Sequence, residues 1–180
     1  MRDSTLSRKE KIMRVALSLF ATNGYIDTST KEISIEAGVS EALIFKHFGN
    51  KDALLAHIIK AGYRRVLSHH RGMMTYKDPK EFLKNMIFLP SQLVAEEPLF
   101  WKLQERLWHN TFSKQQHEQF MKPVQPILQK AFSELGYKEP ELETQYLLLI
   151  IDMLWKREVS GDVTNGLELA GLLEQKYNLL

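Results

Sequence analysis

The chain has 180 residues, no cysteine, a formal net charge of +2, 44% hydrophobic and 26% charged residues. That length can bury a core, either as one domain or as a small module joined to a larger one. The lack of cysteine excludes disulfide scaffolds, thiolate zinc sites and cysteine nucleophiles, and it fits an intracellular, cytoplasmic setting. Met1-Arg2-Asp3-Ser4-Thr5 leads into charged residues instead of the apolar run of a signal peptide. The most apolar stretch, Tyr146 to Trp155, is too short for a hydrocarbon core of about 30 Å and is interrupted by Asp152, so no membrane partner is expected. Charge is uneven: residues 1–65 carry 11 Lys/Arg against 7 Asp/Glu (+4), and residues 66–180 carry 13 against 15 (−2). The basic end suits a nucleic-acid partner.

Apolar residues recur at three- and four-residue intervals almost throughout, and alternating β-branched runs are missing, so about nine helices in an all-α fold are predicted. Ser7-Arg8-Lys9-Glu10 is a capping box opening a helix that ends at Asn23-Gly24, with Ile12, Val15, Ala16, Leu19 and Phe20 on its core face. Ser29-Thr30-Lys31-Glu32 starts a second, which stops at Ala37-Gly38; Ser40 caps a third. Asn50-Lys51-Asp52 starts a long fourth whose stripe of Leu54, Leu55, Ile58, Ile59, Tyr63, Val66 and Leu67 lasts about five turns. Beyond a polar break at 75–78, helices are drawn at roughly 79–95, 98–110, 114–135, 140–158 and 165–178, with Pro90, Pro123 and Pro126 kinking or dividing them.

Two short helices joined by a tight turn also fit a plain αα-corner. The run Ile33 to Ser40 favours a helix-turn-helix over roughly residues 29–48: Ala37 permits close approach, Gly38 supplies the turn and Val39 plugs the gap between helices. Residues 40–47 form a short helix of the kind a major groove admits, and the helix N-termini at Ser29 and Ser40 present N–H groups to anions.

Over residues 8–56 the chain resembles the TetR family of transcriptional regulators, on Phe20-Ala21, Gly24-Tyr25, Thr28-Ser29-Thr30, Ile33, Ala37-Gly38-Val39-Ser40, Phe45, His47-Phe48 and Lys51-Asp52-Ala53-Leu54-Leu55. The remaining two thirds match only in length and helical character. The resemblance implies a three-helix DNA-binding domain over 1–50 and a helical regulatory and dimerisation domain over 51–180, linked by helix 51–72. It also implies a repressor released from double-stranded operator DNA by a small apolar inducer, without cofactor or metal. By the same resemblance Glu41, Ala42 and Leu43 face base edges, while Thr30, Ser40, Lys46, His47 and Lys51 lie near phosphates. Two residues depart from the family. Ala42 stands where glycine is common, and Phe45 stands where a DNA-contacting tyrosine is common, so a phosphate-binding hydroxyl is lost. Ile35 occupies a usually polar position. Phe48 is read as core.

One recognition helix reads too few bases for a regulator, so a homodimer is expected. Residues 142–155 are apolar nearly all round and the last helix has a second apolar face; Leu148, Leu149, Asp152, Trp155, Leu169 and Leu173 are the candidate interface. Among the many aromatic residues between the linker and these helices, Trp101, Trp108, His109 and Tyr146 are the candidate ligand pocket. An enzyme is not expected. His117-Glu118 begins like a zincin motif, but Met121 replaces the second histidine, no phosphate loop or nucleophile elbow is present, and the adjacent His69-His70 read as surface or linker residues. A helical protein-interaction module that has lost DNA binding is the other alternative, kept open by Ala42 and Phe45.

Overall fold

The computed structural model describes residues 6–72, 75–161 and 163–179; Met1 to Thr5, read above for a leader, lie outside them. The described residues form ten α-helices and no strand. These are α1 (Arg8–Thr22), α2 (Thr30–Glu36), α3 (Glu41–Phe48), α4 (Lys51–His69), α5 (Pro79–Glu96), α6 (Pro98–Arg106), α7 (Thr111–Met121), α8 (Val124–Glu134), α9 (Pro140–Ser160) and α10 (Val163–Lys176). The segment drawn across 114–135 is two helices divided at Lys122-Pro123, where proline can donate no N–H to a continuing ladder. Pro90 lies inside α5 without ending it.

The start signals act locally, as their chemistry dictates. Ser7 and Glu10 cap each other's backbone N–H groups at α1, and the side chains of Ser29, Ser40, Asn50 and Asp78 accept from the third helical residue of α2, α3, α4 and α5. Gly24 ends the first helical unit at φ 101° and Gly38 makes the tight turn at φ 60°, values that L side chains rarely adopt.

α1, α2 and α3 form a small head, and α5, α8, α9 and α10 pack into a body. α6 packs on α1, and α4 touches α1, α3 and α7, so the head is seated on the body through two helices. One buried apolar cluster runs from Ile12 in α1 to Leu179. The seam is close: Gly62 of α4 lies against the fully buried ring of Phe100 in α6. Arg106 at the end of α6 donates to the Thr22 carbonyl at 3.0 Å, and Arg65 of α4 forms a two-pronged pair with Glu97, at 2.9 and 2.5 Å, where α5 meets α6. Among the described residues no helix is long and apolar enough to cross a membrane.

Candidate nucleic-acid interface and ligand cleft

The α2–turn–α3 unit is built as its sequence demands. Ile33, Ala37, Ile44 and Phe48 are buried, Val39 is half-buried, and the Val39 N–H closes on the Ser34 carbonyl at 3.0 Å. This packing leaves one side of α3 outward: Ala42, Phe45 and Lys46, spaced i, i+3, i+4, are exposed, with His47 and Ser40 also exposed and Leu43 half-buried. Arg8 and Lys11 of α1 border a groove that runs past Ser34, Ile35, Gly38, Ser40 and Leu43, adding two cations beside the turn. Neither was singled out from the sequence, where the signal was the basic start of α1. Ile35 is 71% exposed beside this groove, so it is a surface residue and not a packing one.

Three residues expected at the DNA, Lys51, Glu41 and Thr30, have other partners in the structure. Lys51 Nζ donates to the carbonyls of Tyr25 and Thr28 at 2.9 Å each, lies 3.4 Å from that of Ile26, and sits 4.4 Å over the Tyr25 ring. Its three N–H donors are thus engaged by the loop between α1 and α2. It fastens α4 to that loop, and none of its donors is left for a phosphate. The neighbouring Asp52 accepts from the Tyr25 hydroxyl, and burial together with that carboxylate pushes the phenol up from its ordinary value. Glu41, placed at base edges by resemblance, accepts from Thr30 Oγ1 at 2.5 Å. Thr30 and Glu41 therefore bind each other across the α2–α3 angle, which removes Thr30 as a free phosphate donor and restrains Glu41.

A cleft of about 200 Å³ lies in the body between α4, α6, α7 and α9. Of the four pocket candidates it is lined by Trp101 and Trp108 but not by His109, which is exposed, or Tyr146, whose ring lies under Lys176 at 4.3 Å. The other lining groups include Tyr63, Gln104, Ser113, His117, Asp152 and Trp155. Trp101 and Trp155 stack at 5.1 Å, and Tyr63 meets Trp101 edge-on at 6.1 Å. Tyr63 Oη and Ser113 Oγ donate to Gln104 Oε1 at 3.2 and 2.8 Å. His117 Nδ1 lies 3.2 Å from Tyr63 Oη, and its Nε2 lies 3.6 Å from Asp152. Burial pushes the Tyr63 phenol up, keeping it a neutral donor. These residues come from four helices, and only the tryptophans announced themselves in the sequence. His117 proves to be a cleft residue, and His70 is buried against Glu96 at 2.8 Å instead of lying on the surface with His69.

The candidate dimer residues separate in the same way. Trp155 is buried in the cleft wall, Asp152 faces the cleft and Leu173 is buried within the body, while Leu148 and Leu169 are half-buried against the core. These five are engaged within the protomer, because α9 packs against α5, α6, α8 and α10, and α10 packs against α5 and α9. Leu149 is 66% exposed and lies in a stripe of Leu142, Tyr146, Leu149 and Met153 along α9, with Leu172 exposed on α10. That stripe recurs at helical spacing, and Leu142, Leu149 and Met153 in it are more than half exposed, with Lys176 reaching over the Tyr146 ring.

The family model described as bacterial regulatory proteins, tetR family, matches residues 12–58. An uncharacterized HTH-type transcriptional regulator, YerO, from Bacillus subtilis is 31% identical over 83 residues, covering 44% of this chain and 29% of the relative. The chain spans less than half the length of the first curated relatives it matches. A TetR-like transcriptional regulator from Rhodococcus sp. RHA1 superposes with a TM-score of 0.79 at 18% identity, over 94% of this chain and 93% of that one. The regulator FadR from Bacillus subtilis, solved in complex with stearoyl-CoA, superposes with a TM-score of 0.73 at 20% identity, over 93% and 96%. These likenesses extend the shared fold across the body.

Proposed function

We propose that this chain, whose residues 12–58 match the model of the tetR family of bacterial regulatory proteins, is a cytoplasmic, homodimeric repressor of that family that binds operator DNA and is released by a small ligand, with no catalytic role. The observation that carries the reading is the exposed Ala42–Phe45–Lys46 face of α3, set beside Arg8 and Lys11. A helix of this size enters a major groove, with cations on the flanking phosphates. Phe45 and Ala42 offer apolar contact to thymine methyls, and with Glu41 tied to Thr30 affinity rests on Lys46, His47, Arg8, Lys11 and the α3 N-terminus at Ser40. The exposed α9 stripe meets a second copy, which supplies the second head.

The seam supports the ligand response. Tyr63 links the cleft to α4, whose first residue, Lys51, holds the α1–α2 loop; Gln104 and Trp101 link the cleft to α6, whose Arg106 holds the end of α1. A ligand that prefers one setting of α4 against α6 shifts the spacing of two heads, and it acts only through that differential affinity. A salt titration of duplex binding tests the DNA reading. The logarithm of affinity should fall linearly with log salt, and Lys46→Ala should reduce the slope by about one. Salt-insensitive or absent binding would instead favour a head that docks on protein, the reading to which the exposed Ile26, Ile35 and Phe45 lend weight.

A further inference from the structure

His117 of α7 and Asp152 of α9 meet in the cleft with Nε2 3.6 Å from Oδ1, beyond the roughly 2.7–3.2 Å of an N–H···O hydrogen bond. Tyr63 gives its O–H to Gln104, so the 3.2 Å contact between Tyr63 Oη and His117 Nδ1 takes its proton from the ring. In the neutral imidazole that leaves Nε2 a lone pair, set beside a carboxylate oxygen that also only accepts. Lys156, one helical turn from Asp152 and spaced for an i, i+4 pair, instead lays its ammonium over the Trp108 ring at 4.2 Å. Lys114, the other lysine of the cleft, stands 3.9 Å from Glu118. Asp152 thus has no Lys or Arg partner among the described residues. We propose that the cleft takes a small primary ammonium ion with an apolar body, its N–H groups donated to Asp152 and to His117 Nε2.

Access, size and charge each narrow the class. The side chains of His117 and Asp152 are 22% and 37% exposed, so both acceptors belong to groups a ligand can reach. Because the two atoms are only 3.6 Å apart, one nitrogen can lie about 2.8 Å from each. The cleft of about 200 Å³ exceeds the roughly 150 Å³ that suffices for benzene and falls below the roughly 300 Å³ at which drug-sized sites begin, so the apolar body is one ring or a short alkyl chain. Leu107, Val159 and the exposed Trp108, which stays outside the Trp101–Trp155 stack, give that body apolar wall. Desolvation of the ammonium is offset by the Asp152 charge and by charge-assisted hydrogen bonds, which are about twice as strong as neutral ones. An anion would meet Asp152 and Glu105, with the lysines already set on Glu118 and Trp108. The proposal rests on the ligand-responsive reading and names the ligand class of its cleft.

Matched probes test it on the full chain without DNA: benzylammonium; ethylbenzene, which puts methyl for ammonium; benzyltrimethylammonium, which keeps the charge without N–H; and benzoate. By calorimetry benzylammonium should bind about tenfold more tightly than each of the others. In nitrogen NMR it should move the His117 Nε2 signal, which ethylbenzene should leave in place. Asp152→Asn should weaken benzylammonium about tenfold and leave ethylbenzene unchanged. Lys156→Met, which removes the cation able to swing onto Asp152, should tighten benzylammonium, a gain that loss of structure does not produce. The probe ranking in the native protein stands whether or not these variants fold. Equal binding of benzylammonium with ethylbenzene or benzyltrimethylammonium, preference for benzoate, or no benzylammonium binding at millimolar concentration would overturn the assignment. Such a failure in a chain that binds duplex DNA leaves the repressor reading standing. The predicted ranking in a chain that binds no duplex would uphold the ligand class and overturn the repressor reading.

Discussion

Replacing Gly62 by alanine tests the seam through which head and cleft communicate. A Cβ built there would stand 2.1 Å from Phe100 Cε2 and 2.5 Å from both Cδ2 and Cζ. Carbon atoms in contact sit about 3.5–4.0 Å apart, so the ring or the helix must move by more than an ångström. The ring has little room, being fully buried with Tyr63 at 5.4 Å and Trp101 at 5.1 Å. Overpacking of this depth costs about 3 kcal/mol, the upper end of its usual range. Removing a glycine from mid-helix returns about 1 kcal/mol. The net loss is therefore about 2 kcal/mol, or a Tm lower by roughly 4–8 °C for a domain of this size. Urea unfolding of Gly62→Ala, Phe100→Leu and the double variant measures it, and Phe100→Leu should cost less in the alanine background than in the native one. A Gly62→Ala protein as stable as the native chain, or stabler, would refute the close α4–α6 approach.

Lys51→Met should lower stability by about 1–3 kcal/mol through loss of the loop carbonyls, while leaving the salt slope of DNA binding unchanged in protein that remains folded. A slope reduced by one would return Lys51 to the phosphates. Burial raises the Glu158 carboxyl above its ordinary value, so the folded chain favours the protonated form, and the stability this gives at low pH is lost as pH rises through the raised value. Glu158→Gln should therefore be more stable than the native protein at pH 7, with the gap closing as pH falls below the ordinary carboxylate range; denaturant titrations across pH check this. Leu149→Glu, on the exposed α9 stripe, should convert dimers to monomers by light scattering without unfolding the chain, and an unchanged dimer mass would remove that stripe from the interface.

What could be read from the sequence was what is written locally. Capping at Ser7, Ser29, Ser40 and Asn50 depends on residues three positions apart, and the turn at Gly38 needs a φ that a sequence rule can anticipate. The division of 114–135 followed from Pro123. Side-chain roles set across distance were less legible. Lys51 finds its acceptors 23 to 26 residues upstream, so spacing alone could not separate a strut from a phosphate contact. The α9 residues Asp152 and Trp155 looked like interface because that helix is apolar nearly all round, and only the packing of α6 and α7 shows which side is inward. Gln104 gave no signal, since one amide on a short helix has no periodicity; its meaning comes from the hydroxyls it accepts.

Selection of bound sequences from a random duplex pool by the full chain is the most direct test of a two-headed operator-binding protein. Enrichment of a palindrome whose half-sites lie about one helical turn apart, or slightly more, is the predicted result. A pool that emerges unenriched, from protein shown to be folded, would contradict it.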